Sequence, residues 1–313
     1  MIGLVVAFAV ALIATPVAAR VATRAGFVDR PGPLKVQRQP VPYLGGLAVF
    51  VAFAIPVAFL HASLLLPLAM ALVLGLVDDL RTLPAPLRLG AEVVIGLVAG
   101  LVATAPGPFG ILVTALFVVG LVNAINLLDG LDGLAGGVAL VSAIGFAIVG
   151  GAARGPSLAL AGALAGFLVF NRPPARIYLG DAGAYFVGAA HAMLAVLALG
   201  AADGPAGWAA VPLLVALPIV DTTIAIVRRA RARRPVFGGD RGHVYDQLVD
   251  RGITTGWVTA AFAAVQAVLT MIGVVTIHLG AAWAFASAGL VVVGLGFGAA
   301  VGGFVSATEG STT

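Results

Sequence analysis

The chain has 313 residues, 61% of them hydrophobic and only 10% charged, with a mean hydropathy of +1.13, a formal net charge of +4 and a pI near 10.1. Soluble domains carry about 25% charged residues, so a soluble globular enzyme is excluded, and apolar runs of helical rather than strand length exclude a membrane β-barrel. With no cysteine there is neither a disulfide nor a thiolate metal site, and in so apolar a chain the basic pI reads as loop arginines that set membrane orientation, not as nucleic-acid binding.

In chain order, apolar runs predict spans at 2–19, 44–60, 63–77, 89–105, 109–127, 134–150, 157–170, 182–200, 207–227, 257–278 and 281–301, the third and seventh being the shortest. The expected fold is an all-α polytopic membrane bundle of about 11 transmembrane helices, since lipid offers the backbone no other partner. Val17-Ala18-Ala19 resembles a signal cleavage site, but the positive charge follows the apolar run, at Arg20 and Arg24, so the first run is read as a retained span. Sorted among alternating loops, 16 of the 17 basic residues fall on one side and only Arg154 on the other. The positive-inside rule makes the arginine-rich side cytoplasmic, with the N-terminus outside and the C-terminus inside. Residues 1–313 then form a single integral membrane domain whose active-site loops lie near 20–43, 78–88, 127–134, 171–181 and 228–256. Small pairs such as Gly96 with Gly100 and Gly298 with Gly302 read as helix packing, and no internal repeat is visible.

A carboxylate at the centre of a membrane helix costs about 2.5 to 3.5 kcal/mol on insertion scales, yet the chain carries 13 Asp and Glu, all but Asp203 at or near the arginine-rich side. Asp78-Asp79 ends the third span, Asp129 and Asp132 follow the fifth, Asp181 precedes the eighth and Asp221 lies within the ninth. Such a cluster calls for a cation, and Mg²⁺, bound through one or two carboxylates and substrate phosphates, fits best. In the stretch 123–135, Asn123, Asn126 and Asp129 share one helical face, while Gly130 and Gly133 allow a turn against a ligand. Simpler roles compete: Asp78-Asp79 as an interfacial pair, Asp181 as a helix cap, and Arg228, Arg229, Arg231, Arg233 and Arg234 as topology signals beside anionic lipid. Arg241 and His243, after a turn and beside acidic and aromatic residues, are candidates for a pyrophosphate or sugar. His61, His191 and His278 are dispersed, which disfavours zinc.

At these residues the sequence resembles the polyprenyl-phosphate N-acetylhexosamine-1-phosphate transferase family. The likeness covers about residues 20–251: Phe27-Val28-Asp29-Arg30-Pro31, Lys35 and Pro42-Tyr43-Leu44-Gly45-Gly46 in the first loop, Gly75-Leu76-Val77-Asp78-Asp79, Asn123 to Ala135, Gly180-Asp181-Ala182-Gly183 with Gly188, and Pro218-Ile219-Val220-Asp221-Thr222 with Arg228-Arg229. The resemblance implies Mg²⁺, with Mn²⁺ as the alternative ion, held by Asp181 and Asn126. It implies Asp78 as base or positioner for the lipid phosphate, with Asp79 and Asp129 shaping the field around it. Lys35, Asn123, Asp132 and Tyr178 match its nucleotide pocket, with Arg38 as a substitute for Lys35. Before the tenth span the family's peptidoglycan translocases carry adjacent histidines and its GlcNAc-1-phosphate enzymes a His-x-His-His pattern; only His243 stands here, followed by Val244, Tyr245 and Asp246, which disfavours a MurNAc-pentapeptide donor and leaves a modified hexosamine open.

The expected function is transfer of an N-acetylhexosamine-1-phosphate, with GlcNAc-1-phosphate leading, from a UDP-sugar to polyprenyl phosphate. The expected partners are those two substrates and the bilayer, not nucleic acid, with a homodimer left open. The rival class is an ion-coupled transporter, whose carboxylates belong near the bilayer midplane.

Overall fold

The computed structural model describes residues 1–30, 39–59, 61–103, 107–202, 204–235 and 242–305. The chain is helical almost throughout: α1 (Ile2–Ala25), α2 (Gly45–Ala58), α3 (Leu65–Leu80), α4 (Ala85–Val102), α5 (Pro108–Leu128), α6 (Leu134–Val149), α7 (Arg154–Asn171) and α8 (Gly180–Ala201) are followed by α9 (Pro205–Ala210), α10 (Ala216–Arg231), α11 (Val244–Asp250), α12 (Thr255–Leu279) and α13 (Ala281–Val301). A two-residue antiparallel ribbon pairs β1 (Val28–Asp29) with β2 (Val41–Pro42) between α1 and α2.

Among the described residues, nine helical stretches are long and apolar enough to cross a membrane. They coincide with nine of the expected spans, and α2 and α6, of 14 and 16 residues, occupy the other two. At 1.5 Å per residue these two are about 21 and 24 Å long, short of a hydrocarbon core of about 30 Å. The runs expected to be shortest are not. The third continues through Asp78, Asp79 and Leu80, and the seventh begins in a 3₁₀ turn at Gly151–Ala153, because polar and small residues at the ends remain helical.

At the centre lies α8, in which every residue from Ala182 to Ala198 is buried. Its wealth of Ala and Gly lets neighbouring backbones approach closely, as membrane helix packing requires. A Cβ on Gly46 would run into the backbone of Gly183, and one on Gly188 into that of Val122 in α5.

The ninth run, expected as one span, is broken. After α9 the chain passes through a 3₁₀ turn, Val211–Val215, before α10 begins. Pro218 has no N–H to offer Leu214, so the ladder opens there. Gln266 of α12 reaches across and closes it: its Oε1 accepts Leu217 N–H at 3.1 Å, and its Nε2 donates to the carbonyls of Leu213 and Leu214 at 3.2 and 3.0 Å. Within lipid, such a gap persists only when another helix satisfies it.

Helix ends far apart in sequence meet at one end of the bundle. Tyr178 N–H bonds Pro42 O, while Gly45 and Gly46 N–H bond the carbonyls of Tyr178 and Leu179, joining the start of α2 to the start of α8. The side chain of Asn171, at the end of α7, accepts from Gly133 N–H at the start of α6, and Thr259 of α12 donates to Asp132 O. Beyond α13, Phe304 lies against the Arg251 guanidinium, 4.4 Å from its ring centroid, and its carbonyl takes a bond from Gln247.

Candidate active site

The last turn of α3 supplies two carboxylates with different surroundings. Both oxygens of Asp79 accept backbone N–H groups, of Asp181 at 2.9 Å and Ala182 at 3.0 Å. Asp79 therefore caps α8 from another helix, satisfying N–H groups that a helix start leaves open. Gly180, at φ +73, makes room: a Cβ there would press on Asp79 Oδ2 and Tyr43 O. Asp78 is buried, 6% exposed, and accepts from Tyr185 Oη at 2.5 Å and from Leu83 N–H at 2.7 Å. The Arg88 guanidinium, at the start of α4, stands 3.6 Å from Asp78 Oδ2.

Asn123, Asn126 and Asp129 emerge along the end of α5 as their spacing predicts. Asn123 uses both amide hydrogens, on Val119 O at 2.9 Å and on Glu92 Oε2 at 2.5 Å. Glu92 is 1% exposed, and its other oxygen stands 3.8 Å from Arg88 Nε. Asn126 Nδ2 donates to Asp181 Oδ1 at 2.7 Å. That bond fixes the amide so that Asn126 Oδ1 and Asp181 Oδ2 remain as hard oxygen donors. The Asp129 carboxyl accepts no hydrogen bond among the described residues. Burial first, then the charges of Asp181, Asp79 and Asp132, push it well above the usual carboxylate range. Asp132 is raised by burial and partly compensated by Ala175 N–H, which donates to its Oδ2 at 2.9 Å.

Tyr178 is half-buried beside this group. Burial, then the charges of Asp132, Asp29 and Asp129, raise its hydroxyl to about 12, so it remains a donor at neutral pH. Among the described residues no other aromatic ring pairs with Tyr178, while Tyr43 is engaged edge-on with Phe27. His243 lies on the α10 side of the site: its Nδ1 donates to Asp221 Oδ2 at 2.7 Å, and its ring stacks on Tyr245 with centroids 5.3 Å apart. Tyr245 in turn donates to Leu127 O at 2.8 Å, so the His243 loop is tied to the end of α5. Lys35 and Arg241, with Arg38, lie outside the described residues.

Two expectations need revision. A place beside anionic lipid, the role that competes for Arg228 and Arg229, does not suit them: they are buried, 3% and 4% exposed, and Arg228 donates to Gly242 O. Glu92, Arg88 and Tyr185 were not singled out, although they fix Asn123 and Asp78. Asp181, weighed as a cap for its own helix, makes no side-chain cap; Asp79 performs that task.

The oxygens fit a divalent cation that also binds substrate. No group of three or more His, Asp or Glu among the described residues is placed to hold a metal by itself, so substrate phosphates and water would have to complete the shell of a Mg²⁺ held here. The mutual repulsion felt by Asp129 is what a cation would relieve.

Residues 61–199 match glycosyl transferase family 4. A Bacillus subtilis protein named "Probable undecaprenyl-phosphate N-acetylglucosaminyl 1-phosphate transferase" is 32% identical over 286 residues, covering 81% of this chain and 79% of the relative. A Mycobacterium tuberculosis decaprenyl-phosphate N-acetylglucosaminephosphotransferase is 30% identical, covering 74% and 71%. A Yersinia pestis undecaprenyl-phosphate alpha-N-acetylglucosaminyl 1-phosphate transferase is 28% identical, covering 83% and 79%.

Proposed function

The chain belongs to glycosyl transferase family 4, and from that premise we propose that it transfers N-acetylglucosamine-1-phosphate from UDP-N-acetylglucosamine to a polyprenyl phosphate. A lipid phosphate oxygen attacks the sugar-linked phosphorus, the bond to the bridging oxygen breaks, and UMP leaves with the electron pair. The observation that carries this reading is the meeting of Asp78, Asp79, Asn126, Asp129 and Asp181 from three helix ends at one end of the bundle. A soluble nucleotide sugar and a lipid headgroup can meet there. An ion-coupled carrier needs its carboxylates deeper, between both faces.

Asp181 and Asn126 would hold Mg²⁺ through the oxygens left by their mutual hydrogen bond. When bound, the ion neutralises phosphate charge as UMP departs. Asp78, oriented by Tyr185, positions the lipid phosphate beside the positive charge of Arg88. An ionised phosphate needs little help from a base at neutral pH, so positioning dominates. Asp79 keeps the first turn of α8 in place, and with it Asp181. Tyr178 offers its ring to the uracil, and Asp132, with Lys35 by the resemblance, completes the nucleotide pocket. The site faces the cytoplasm of a multi-pass inner-membrane protein with eleven crossings, α2 and α6 included, as the arginine distribution indicates.

Purified protein incubated with Mg²⁺, polyprenyl phosphate and a panel of UDP-sugars should release UMP with UDP-N-acetylglucosamine and stop on chelation. Asp181→Ala should lower turnover by at least about a hundredfold, the usual scale for losing a charge-stabilising group. Near-wild-type UMP release by that variant would remove Asp181 from the metal site.

A further inference from the structure

On the outside of the bundle, α6, α7 and α12 leave a groove of about 450 Å³. Leu168 and Val169 form its apolar wall, Gly133 and Gly137 line it, and Arg172 and Thr259 lie at its rim. It is open at Gly137, where a Cβ would meet nothing within 4 Å. It lies near three helix ends, where α6 begins at Leu134, α7 ends at Asn171 and α12 begins at Thr255, the level at which apolar spans give way to polar loops. Trp257, 74% exposed in the first turn of α12, marks the same level, where indole rings collect. Arg172 is exposed and makes no ion pair among the described residues.

The far side of the groove's wall is the turn that carries Asp132. Thr259 donates to Asp132 O at 3.0 Å. Asn171, next to Arg172, accepts Gly133 N–H at 3.1 Å and donates to Ile177 O at 2.9 Å. Whatever fills the groove therefore bears on the Asp132–Gly133 turn and, through Asn171, on Ile177.

We propose that the groove binds one anionic glycerophospholipid, its phosphate on Arg172 and an acyl chain along Leu168, Val169 and Gly137. A guanidinium fork suits phosphate oxygens, and a cation above an apolar trough matches the two halves of a single amphiphile. Basic pockets between membrane helices take acidic headgroups in this way. The bound lipid braces the Asp132 turn, so turnover should rise with anionic lipid.

The test begins with protein reconstituted in phosphatidylcholine mixed with phosphatidylglycerol, then extracted and weighed by native mass spectrometry for retained lipid, a readout independent of transferase chemistry. The wild type should retain phosphatidylglycerol in preference to phosphatidylcholine. Arg172→Gln should lower that preference about fivefold, equivalent to the roughly 1 kcal/mol of one basic side chain at an anionic surface. Gly137→Leu, which fills the open space, should lose both lipids, and phosphatidylglycerol should stimulate wild-type but not Arg172→Gln turnover. Unchanged lipid preference in Arg172→Gln overturns the proposal. So does displacement of the retained lipid by polyprenyl phosphate, which would make the groove a substrate site.

Discussion

Asp129 is strained by its company. Its carboxyl is held above the usual range by burial and by the charges of Asp181, Asp79 and Asp132, with no hydrogen bond to offset them among the described residues. The folded state therefore binds the Asp129 proton more tightly than the unfolded state, and stability without metal should fall as pH rises from about 4 through the raised value. Asp129→Asn removes the charge and should stabilise the metal-free protein at pH 7 by about 1 kcal/mol, the scale of one pKa unit. The same change should flatten the pH dependence and shrink the stabilisation that Mg²⁺ gives, all read by thermal unfolding in detergent. A metal-free variant less stable than the wild type at pH 7 would mean that burial and the neighbouring charges do not disfavour the ionised Asp129 carboxyl. The carboxylates themselves were legible in the sequence because they stand out in an apolar chain. Their division of labour was not: the adjacent Asp78 and Asp79 look equivalent as letters, yet one faces Tyr185 and the other caps α8.

At the level of elements, α4 was legible as a span and opaque as a support for the site. Glu92 is a single carboxylate in an apolar run, without a sequence neighbour to give it meaning; its partner Asn123 lies 31 positions later. Only the packing of α4 on α5 brings the two together, and Arg88, one turn before Glu92, ties them to Asp78. Glu92→Leu removes the acceptor of Asn123 and the counter-charge of Arg88, whereas Glu92→Gln preserves an acceptor oxygen. Turnover should fall about tenfold or more in the leucine variant and recover most of the way in the glutamine variant, with KM for UDP-sugar rising only in the former. Steady-state kinetics with each substrate varied in turn would check this; equal losses in both variants would show that charge, not the Asn123 bond, matters. The broken ninth run teaches the same lesson, for Pro218 was visible but the Gln266 side chain that makes the break tolerable lies in another helix.

For the whole molecule, alternation of spans was the most legible feature because it follows from length, apolarity and the side on which arginines lie. In the structure the aspartates leave α3 and α5 and enter α8 at one end, where Phe304 after α13 also packs, while Arg154 begins α7 at the other. The lengths of α2 and α6 were harder to foresee, since an apolar run continues past the point where its helix stops. Because the chain has no cysteine, single cysteines can report its sidedness without background. A membrane-impermeant maleimide should label Arg154→Cys only from outside the cell and Arg176→Cys only in inside-out vesicles. Labelling of both from one face would require an even number of crossings between residues 154 and 176, which α7, as one helix, can satisfy only by lying in the interface. The proposed site would then lose its arrangement, because the end of α7 positions Gly133 through Asn171 and so sets the turn that carries Asp132.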